Sequence, residues 1–294
     1  MDTAPRSQRL LAVARLVETQ LSHAWRLDEL AERACYSRHH FEKVFAELTG
    51  LTPMDYLRQR RLQQAALRVR HEHTSMLQLA HESGFASDSV FSRNFRQAFG
   101  YAPRDWREGA WRAHHDEVVC PQWQSLHARD PAGQQREAAL AAAARKPDVL
   151  RQALVRYCRA HPVWLARGFG IWGSRAEAFR EQCAAELDTP RRAPFCCAIL
   201  REDPAFITGE HWLYDWAVLA QTPAPAGWFD DVLPGGFYLC LRYQGNGAQW
   251  GWLYGDWLER QHRWTLDGRR PHLNVYRQTA AGIEGELRLP VRLT

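Results

Sequence analysis

Two sets of polar side chains in the first third of the chain could read a nucleic acid. Arg38, His39, Glu42 and Lys43 form one, and Ser87, Asp88, Ser89, Ser92 and Arg93 form the other. Arginine, lysine, serine and carboxylate side chains supply the donors and acceptors that tell base edges apart in the DNA major groove. Each set is interleaved with apolar residues at helical spacing, Phe41, Val44 and Phe45 in the first and Phe91 and Phe95 in the second. The apolar residues share a buried face, which turns the polar ones outward. Polar residues at the start of an exposed second helix are what a helix-turn-helix reader needs.

The elements that must hold these side chains are written twice. Ala31, Cys35 and Tyr36 return as Ala80, Gly84 and Phe85. After a one-residue shift, Phe41, Phe45, Gly50, Pro53 and Tyr56 return as Phe91, Phe95, Gly100, Pro103 and Trp106. Residues 27–56 and 76–106 are therefore one supersecondary unit repeated at a spacing near fifty. Each copy predicts a short apolar helix and a turn at Cys35 or Gly84, where a bulky residue would crowd the chain. A second helix follows, with Ser37 or Ser87 as its N-cap. Between the copies, Asp55 to Arg70 reads as one long helix, a rigid connector. Readers about 34 Å apart enter successive major grooves on one face of DNA.

Residues from about 10 to 107 resemble the DNA-binding domain of AraC/XylS-type transcription regulators. The resemblance is carried by Gly84-Phe85-Ala86-Ser87-Asp88-Ser89-Val90-Phe91-Ser92-Arg93-Asn94-Phe95 and by Phe99-Gly100-Tyr101-Ala102-Pro103-Arg104-Asp105-Trp106-Arg107. It implies base contacts from Arg38, His39, Glu42 and Lys43 in the first reader and from Ser87, Asp88, Ser89, Ser92 and Arg93 in the second. It also implies double-stranded promoter DNA and RNA polymerase as partners. The first copy departs from the family: Cys35 replaces the usual turn glycine, and His39 with Glu42 make an unusual reading set. No target sequence transfers.

The charge balance permits this reading without demanding it. Residues 1–112 hold 17 of the 38 Lys+Arg and 13 of the 33 Asp+Glu, a balance of +4, which leaves +1 of the total +5 for residues 113–294. A modest basic excess suits phosphate contact. The seven cysteines, at 35, 120, 158, 183, 196, 197 and 240, show no CxxC spacing, so neither a zinc site nor a disulfide framework is expected. His114 and His115 lie in a polar stretch, and neighbouring side chains point in different directions, so no metal site and no cofactor are assigned there. With no signal peptide and no run of 18 apolar residues, a cytoplasmic chain without membrane contact is expected.

The chain beyond residue 150 changes character, becoming strand-like and holding nine of the thirteen tryptophans. It also repeats, at a spacing near 75. Val155–Cys158 and Val163–Gly170 correspond to Trp228–Val232 and Tyr238–Gly245, with Arg167 opposite Arg242. Each half continues into an amphipathic helix, 175–187 or 249–261. Two strands follow each, 195–200 and 212–219 in the first half and 272–276 and 286–293 in the second. The predicted fold is multi-domain: an all-α double helix-turn-helix domain (1–112), a linker (113–149), and an α+β domain built from a tandem repeat (150–294).

A junction between halves forms a natural concave site. Trp172, Trp212, Tyr214, Tyr238, Trp252, Tyr254, Trp257 and Tyr276 are the aromatic candidates to line it, with Asp215 and Glu286 as the acidic ones. Ring faces around a carboxylate would hold a flat, apolar cation. Residues 150–294 resemble the GyrI-like effector-binding domain of Rob-type regulators. Pro234-Gly235-Gly236-Phe237-Tyr238, Leu253-Tyr254-Gly255-Asp256-Trp257-Leu258 and Glu286-Leu287-Arg288-Leu289-Pro290-Val291 carry that likeness. The resemblance implies a small aromatic or cationic effector with Glu286 as its counter-ion, and a multidrug-sensing role without enzymatic activity. Gly245-Asn246-Gly247 and Asn274 depart from the family's pattern. Two alternatives remain open: a GyrI-like hydrolase with Glu286 as general base, and a drug-sequestering module.

Overall fold

The computed structural model describes residues 4–130, 153–187, 195–202, 206–207, 213–220, 223–244, 253, 257–279 and 282–294. Two compact units divide the chain, Met1–Cys120 with Phe206–His211, and Pro121–Ala205 with Trp212–Thr294.

The first unit is helical: α1 (Ala4–Thr19), α2 (Leu27–Arg33), α3 (Arg38–Thr49), α4 (Pro53–His71), α5 (Met76–Glu82) and α6 (Asp88–Phe99). A further helical run follows, with α7 (Pro103–Asp105), a π turn (Trp106–Ala110), α8 (Trp111–His114) and a second π turn (His115–Val119). The next helix, α9 (Cys120–Ala128), belongs from Pro121 onward to the second unit. The stretch expected as linker from residue 113 is thus helical through Ala128, and His114, expected in a polar stretch, is buried against Phe99 and Trp106. The expected short helix at 137–145 lies outside the described residues.

The internal repeat of the first unit is reproduced almost contact for contact. The turns after α2 and α5 close alike, with Tyr36 N–H donating to Ala31 O and Phe85 N–H to Ala80 O, both at 3.0 Å. Such a bond caps the last turn of a helix and requires a left-handed residue before it. Cys35 (φ 57°) and Gly84 (φ 79°) are those residues. Phe41 and Phe45 pack at 5.4 Å, Phe91 and Phe95 at 5.5 Å, and each second phenylalanine meets its aromatic partner, Tyr56 or Trp106, edge-on at 5.5 Å. Gly50 and Gly100 end α3 and α6 in the left-handed region, and Pro53 and Pro103 open the next helices. Proline suits a first helical turn because no partner awaits its missing N–H.

The connector α4 spans nineteen residues, about 28 Å at 1.5 Å per residue. Buried ion pairs fasten it at both ends. Arg60 binds Glu18 of α1 at 2.6 Å, while Arg68 bonds Glu72 at 2.9 Å and also Glu82 of α5. Trp106, fully buried, donates from Nε1 to Ala66 O, and Arg107 grips Val69 O and Thr74 O, which ties the second copy to the end of α4.

The second unit is a nine-stranded antiparallel sheet with α10 (Ser174–Glu186) packed on one face. Its strands are β1 (Leu154–Cys158), β2 (His161–Phe169), β3 (Cys196–Leu200), β4 (Leu213–Leu219), β5 (Phe229–Leu233), β6 (Gly236–Gln244), β7 (Trp264–Leu266), β8 (His272–Thr279) and β9 (Gly282–Leu293). The spatial order is β1-β6-β9-β8-β3-β4-β2-β5, with β7 paired to β9. Period-two alternation sorts side chains to the two faces. Tyr214, Trp216 and Tyr276 join Ala176 and Cys183 of the helix, whereas Ala217, Val275, Leu165 and Tyr238 form a core on the opposite face. Of the expected helix at 249–261, the described part is α11 (Leu258–Arg260). β7 was not expected from the sequence.

Candidate nucleic-acid interface and second-unit site

The two proposed readers sit as their patterning demands. In α3 the buried residues are Phe41, Val44, Phe45 and Thr49, and in α6 they are Phe91, Phe95 and Phe99. Arg38, His39 and Lys43 are exposed and Glu42 is half-buried. On the second reader Ser87, Ser89 and Arg93 are exposed, with Asp88 and Ser92 half-buried. Ser87 accepts from Val90 N–H at 3.2 Å, the expected cap. Ser37 does not: its backbone is extended at the N-cap position but its hydroxyl makes no cap bond, so the first reader begins without that stabilisation. Arg38 pairs only loosely with Asp28, at 3.7 Å between exposed groups, which leaves it able to exchange that partner for another anion. The long side chains Arg38, Lys43 and Arg93 therefore present cationic tips on both readers.

Sequence reasoning missed the buried scaffold of the readers. Arg61 donates to Leu21 O and His23 O, both at 2.7 Å, and its guanidinium lies 2.8 Å from where a Cβ on Gly84 would be. Phe206, remote in sequence, belongs to this unit, with its ring 5.1 Å from Trp106 and its carbonyl 3.3 Å from the His114 ring nitrogen. Burial lowers the His114 pKa, because the imidazolium would lose its hydration there.

The second unit treats the candidate ligand residues unequally. Trp212, Trp252 and Tyr254 lie outside the described residues. Trp172 and Trp257 are half-buried. Tyr238 is fully buried, donates to Pro234 O at 2.8 Å and carries Arg270 over its ring at 4.7 Å, so it is core and not cleft. Tyr214 and Tyr276 do converge with Trp216, but the cation they attract is internal. Arg180 donates to Tyr214 Oη at 3.1 Å and lies 5.7 Å from the Trp216 ring and 5.8 Å from that of Tyr276.

Glu286 also departs from its expected role as counter-ion to a cationic effector. Arg288 Nε reaches it at 2.6 Å, Arg242 at 3.5 Å, and Arg156 bonds the same oxygen as Arg288. Burial alone would raise its pKa, yet Arg288, Arg156 and Arg277 outweigh that and hold it below the usual range. A carboxylate already matched by guanidiniums has little field left for an added cation. Asp215 is its counterpart. Fully buried, it accepts from Arg167 at 2.7 and 2.8 Å and from Arg201 at 2.7 Å, and these arginines overcome burial to hold it at about 2.

Among the described residues, ligand atoms of His115, Asp116 and Cys120 lie within 4.8 Å of one another and could hold a metal ion. The π turn explains the approach, since it stacks residues five apart, and His115 Nε2 stands 3.2 Å from Cys120 Sγ. Burial, and then Asp116, raise the Cys120 pKa, so a metal would have to displace its proton. No described helix is long and apolar enough to cross a membrane.

A helix-turn-helix domain model matches residues 30–109. The probable transcription factor PqrA of Proteus vulgaris is 33% identical over 98 residues, which cover 33% of this chain and 80% of PqrA. The regulatory protein SoxS of Escherichia coli K12 is 32% identical over 91 residues, or 31% of this chain and 85% of SoxS. Among solved structures, the DNA-binding domain of AdpA in complex with a target DNA is 30% identical, covering 36% of this chain and 94% of that one at a TM-score of 0.34. With two short regulators matched over most of their length and the duplicated helix-turn-helix in place, the chain belongs to the AraC/XylS family of transcription regulators.

Proposed function

We propose that this regulator reads promoter DNA with the exposed faces of α3 and α6 and that its second unit is a GyrI-like effector-binding domain. The observation that carries the DNA reading is the duplicated packing. Two phenylalanine pairs and two left-handed turns hold two helices in equivalent settings, each with cationic or hydroxyl side chains outward. Duplication of an ordinary solvated face would not require matched turns. The chain's own upstream region is the natural substrate for a test. Hydroxyl-radical footprinting should show two protected segments about one helical turn apart, and a single protected segment would remove one of the readers.

The strand order supports the second half of the proposal. Exchange β1 with β5, β2 with β6, β3 with β8 and β4 with β9, as the sequence repeat pairs them, and the order β1-β6-β9-β8-β3-β4-β2-β5 reads the same backwards. The charged pairs follow: Arg167 faces Asp215 across β2 and β4, and Arg242 faces Glu286 across β6 and β9. Two interlocked halves make a groove suited to a small molecule. The hydrolase reading is weaker. A general base works best with a pKa near the working pH, whereas Glu286 is held low. Asn274, at the position of a second carboxylate, is tied between Tyr243 at 2.6 Å and Tyr276 at 2.8 Å.

A further inference from the structure

We propose that the sheet face opposite α10 carries a site for a small organic oxyanion, a carboxylate or phosphate group. This rests on reading the second unit as effector-binding, and it fixes the sign of the effector's charge.

An open pocket of about 200 Å³ there is lined by Arg156, Arg159, Arg277 and Arg288, with Tyr157 and His161 beside them. The register explains why they gather. Arg288 on β9 lies opposite Cys240 of β6 and Leu273 of β8, and Arg156 on β1 lies opposite Tyr238 of β6, so all project from the face that also holds Glu286. With Arg242 included, five guanidiniums stand against Glu284, Glu286 and, when ionised, the Cys158 thiol, a surplus of two positive charges.

The donors are already fixed in place. Arg288 is 5% exposed and bonds Glu286, as does Arg156. Each guanidinium has five N–H donors, so these bonds leave others free. Arg159 and Arg277 line the pocket from exposed positions. Planar forks held by a buried carboxylate are well suited to grip an oxyanion bidentately. Glu286 then orients the arginines instead of binding the ligand.

Tyr157 is 64% exposed and meets Phe237 edge-on at 5.5 Å, and Phe237, 43% exposed, lies 5.3 Å from Trp264. Tyr157 and Phe237 alternate with Arg156 and Tyr238 along β1 and β6, so these rings stand on the other face of the sheet and the guanidiniums mark the ligand's chemistry. A cationic dye would meet four guanidiniums, and the aromatic trio under α10 already holds Arg180.

The test titrates the full chain with benzoate, inorganic phosphate and benzyltrimethylammonium by calorimetry, alongside the double variant Arg159→Gln/Arg277→Gln. Both substituted residues are exposed, so the fold should survive. Benzoate and phosphate should bind, the ammonium should not, and the double variant should lose benzoate affinity by roughly 10- to 100-fold per charge-assisted hydrogen bond removed. Equal benzoate affinity in both proteins, absence of benzoate binding, or preference for the ammonium overturns the site. Promoter affinity measured with and without benzoate separates the two claims. Benzoate bound with DNA affinity unchanged leaves the anion site standing and removes the effector reading.

Discussion

The two copies of the helix-turn-helix place different residues in the same left-handed turn, and the difference predicts opposite responses to mutation. Cys35 is the one non-glycine residue with positive φ among the described residues, at 57°, where its repeat partner Gly84 has 79°. A side chain in the left-handed region costs about 1–2 kcal/mol. Glycine recovers that but loses about 0.5–1 kcal/mol through the extra freedom of its unfolded chain. Cys35→Gly should therefore stabilise the first unit by about 0.5–1 kcal/mol, or roughly 2–5 °C in melting temperature. Gly84→Ala should go the other way. Its Cβ would stand 2.8 Å from the Arg61 guanidinium, which can move only by giving up its bonds to Leu21 O and His23 O. Backbone strain plus those bonds sum to about 2–4 kcal/mol. Urea titration followed by far-ultraviolet circular dichroism reads both. A destabilised Cys35→Gly, or a neutral Gly84→Ala, would show that turn geometry does not set the stability of this unit.

Other consequences can be checked separately. His272 is fully buried and desolvation pushes its pKa down to about 3. The unfolded chain binds that proton near pH 6.5 and the folded chain does not, so its contribution is present above pH 6.5 and is lost as pH falls. Between pH 6 and 4.5 the loss is about 2 kcal/mol, and in His272→Gln this slope should flatten in tryptophan-monitored unfolding; an unchanged slope refutes the assignment. Asp215→Asn removes the carboxylate charge that the buried Arg167 and the neighbouring Arg201 bond, and should cost about 3–5 kcal/mol in thermal stability. Loss of less than 1 kcal/mol would show that water reaches the pair. Trp106→Ala removes a fully buried ring packed on Phe95, Phe99 and Phe206 and should cost about 3–5 kcal/mol, measured by calorimetry.

Local, repeated features were legible in the sequence, and long-range ones were not. The paired phenylalanines, the turn residues and the prolines of the first unit act within a few positions of one another, so periodicity finds them. Most strands of the second unit were legible in the sequence, but their crossed arrangement, in which β1 pairs with β6 and β5 with β2, was not. The surroundings of the candidate ligand residues were hidden for the same reason. Composition brought aromatics and Glu286 together, but it could not show Arg180 filling the ring cluster or arginines from β1, β6 and β9 meeting the carboxylate. His114 looked solvated because its own stretch is polar in sequence, while the rings that bury it come from Phe99 and Trp106 and its partner Phe206 is 92 positions away.

The central claim is that α3 and α6 read DNA through their exposed side chains. The most direct measurement is the affinity of the full chain for its own promoter, as wild type, Arg93→Ala and Lys43→Ala, across a series of salt concentrations. Both residues are exposed, so melting temperature should hold. Arg93→Ala should weaken binding by about 1–3 kcal/mol and relax specificity at one position, while Lys43→Ala should mainly reduce the salt slope by about one. Unchanged affinity and salt slope in both variants would contradict the account.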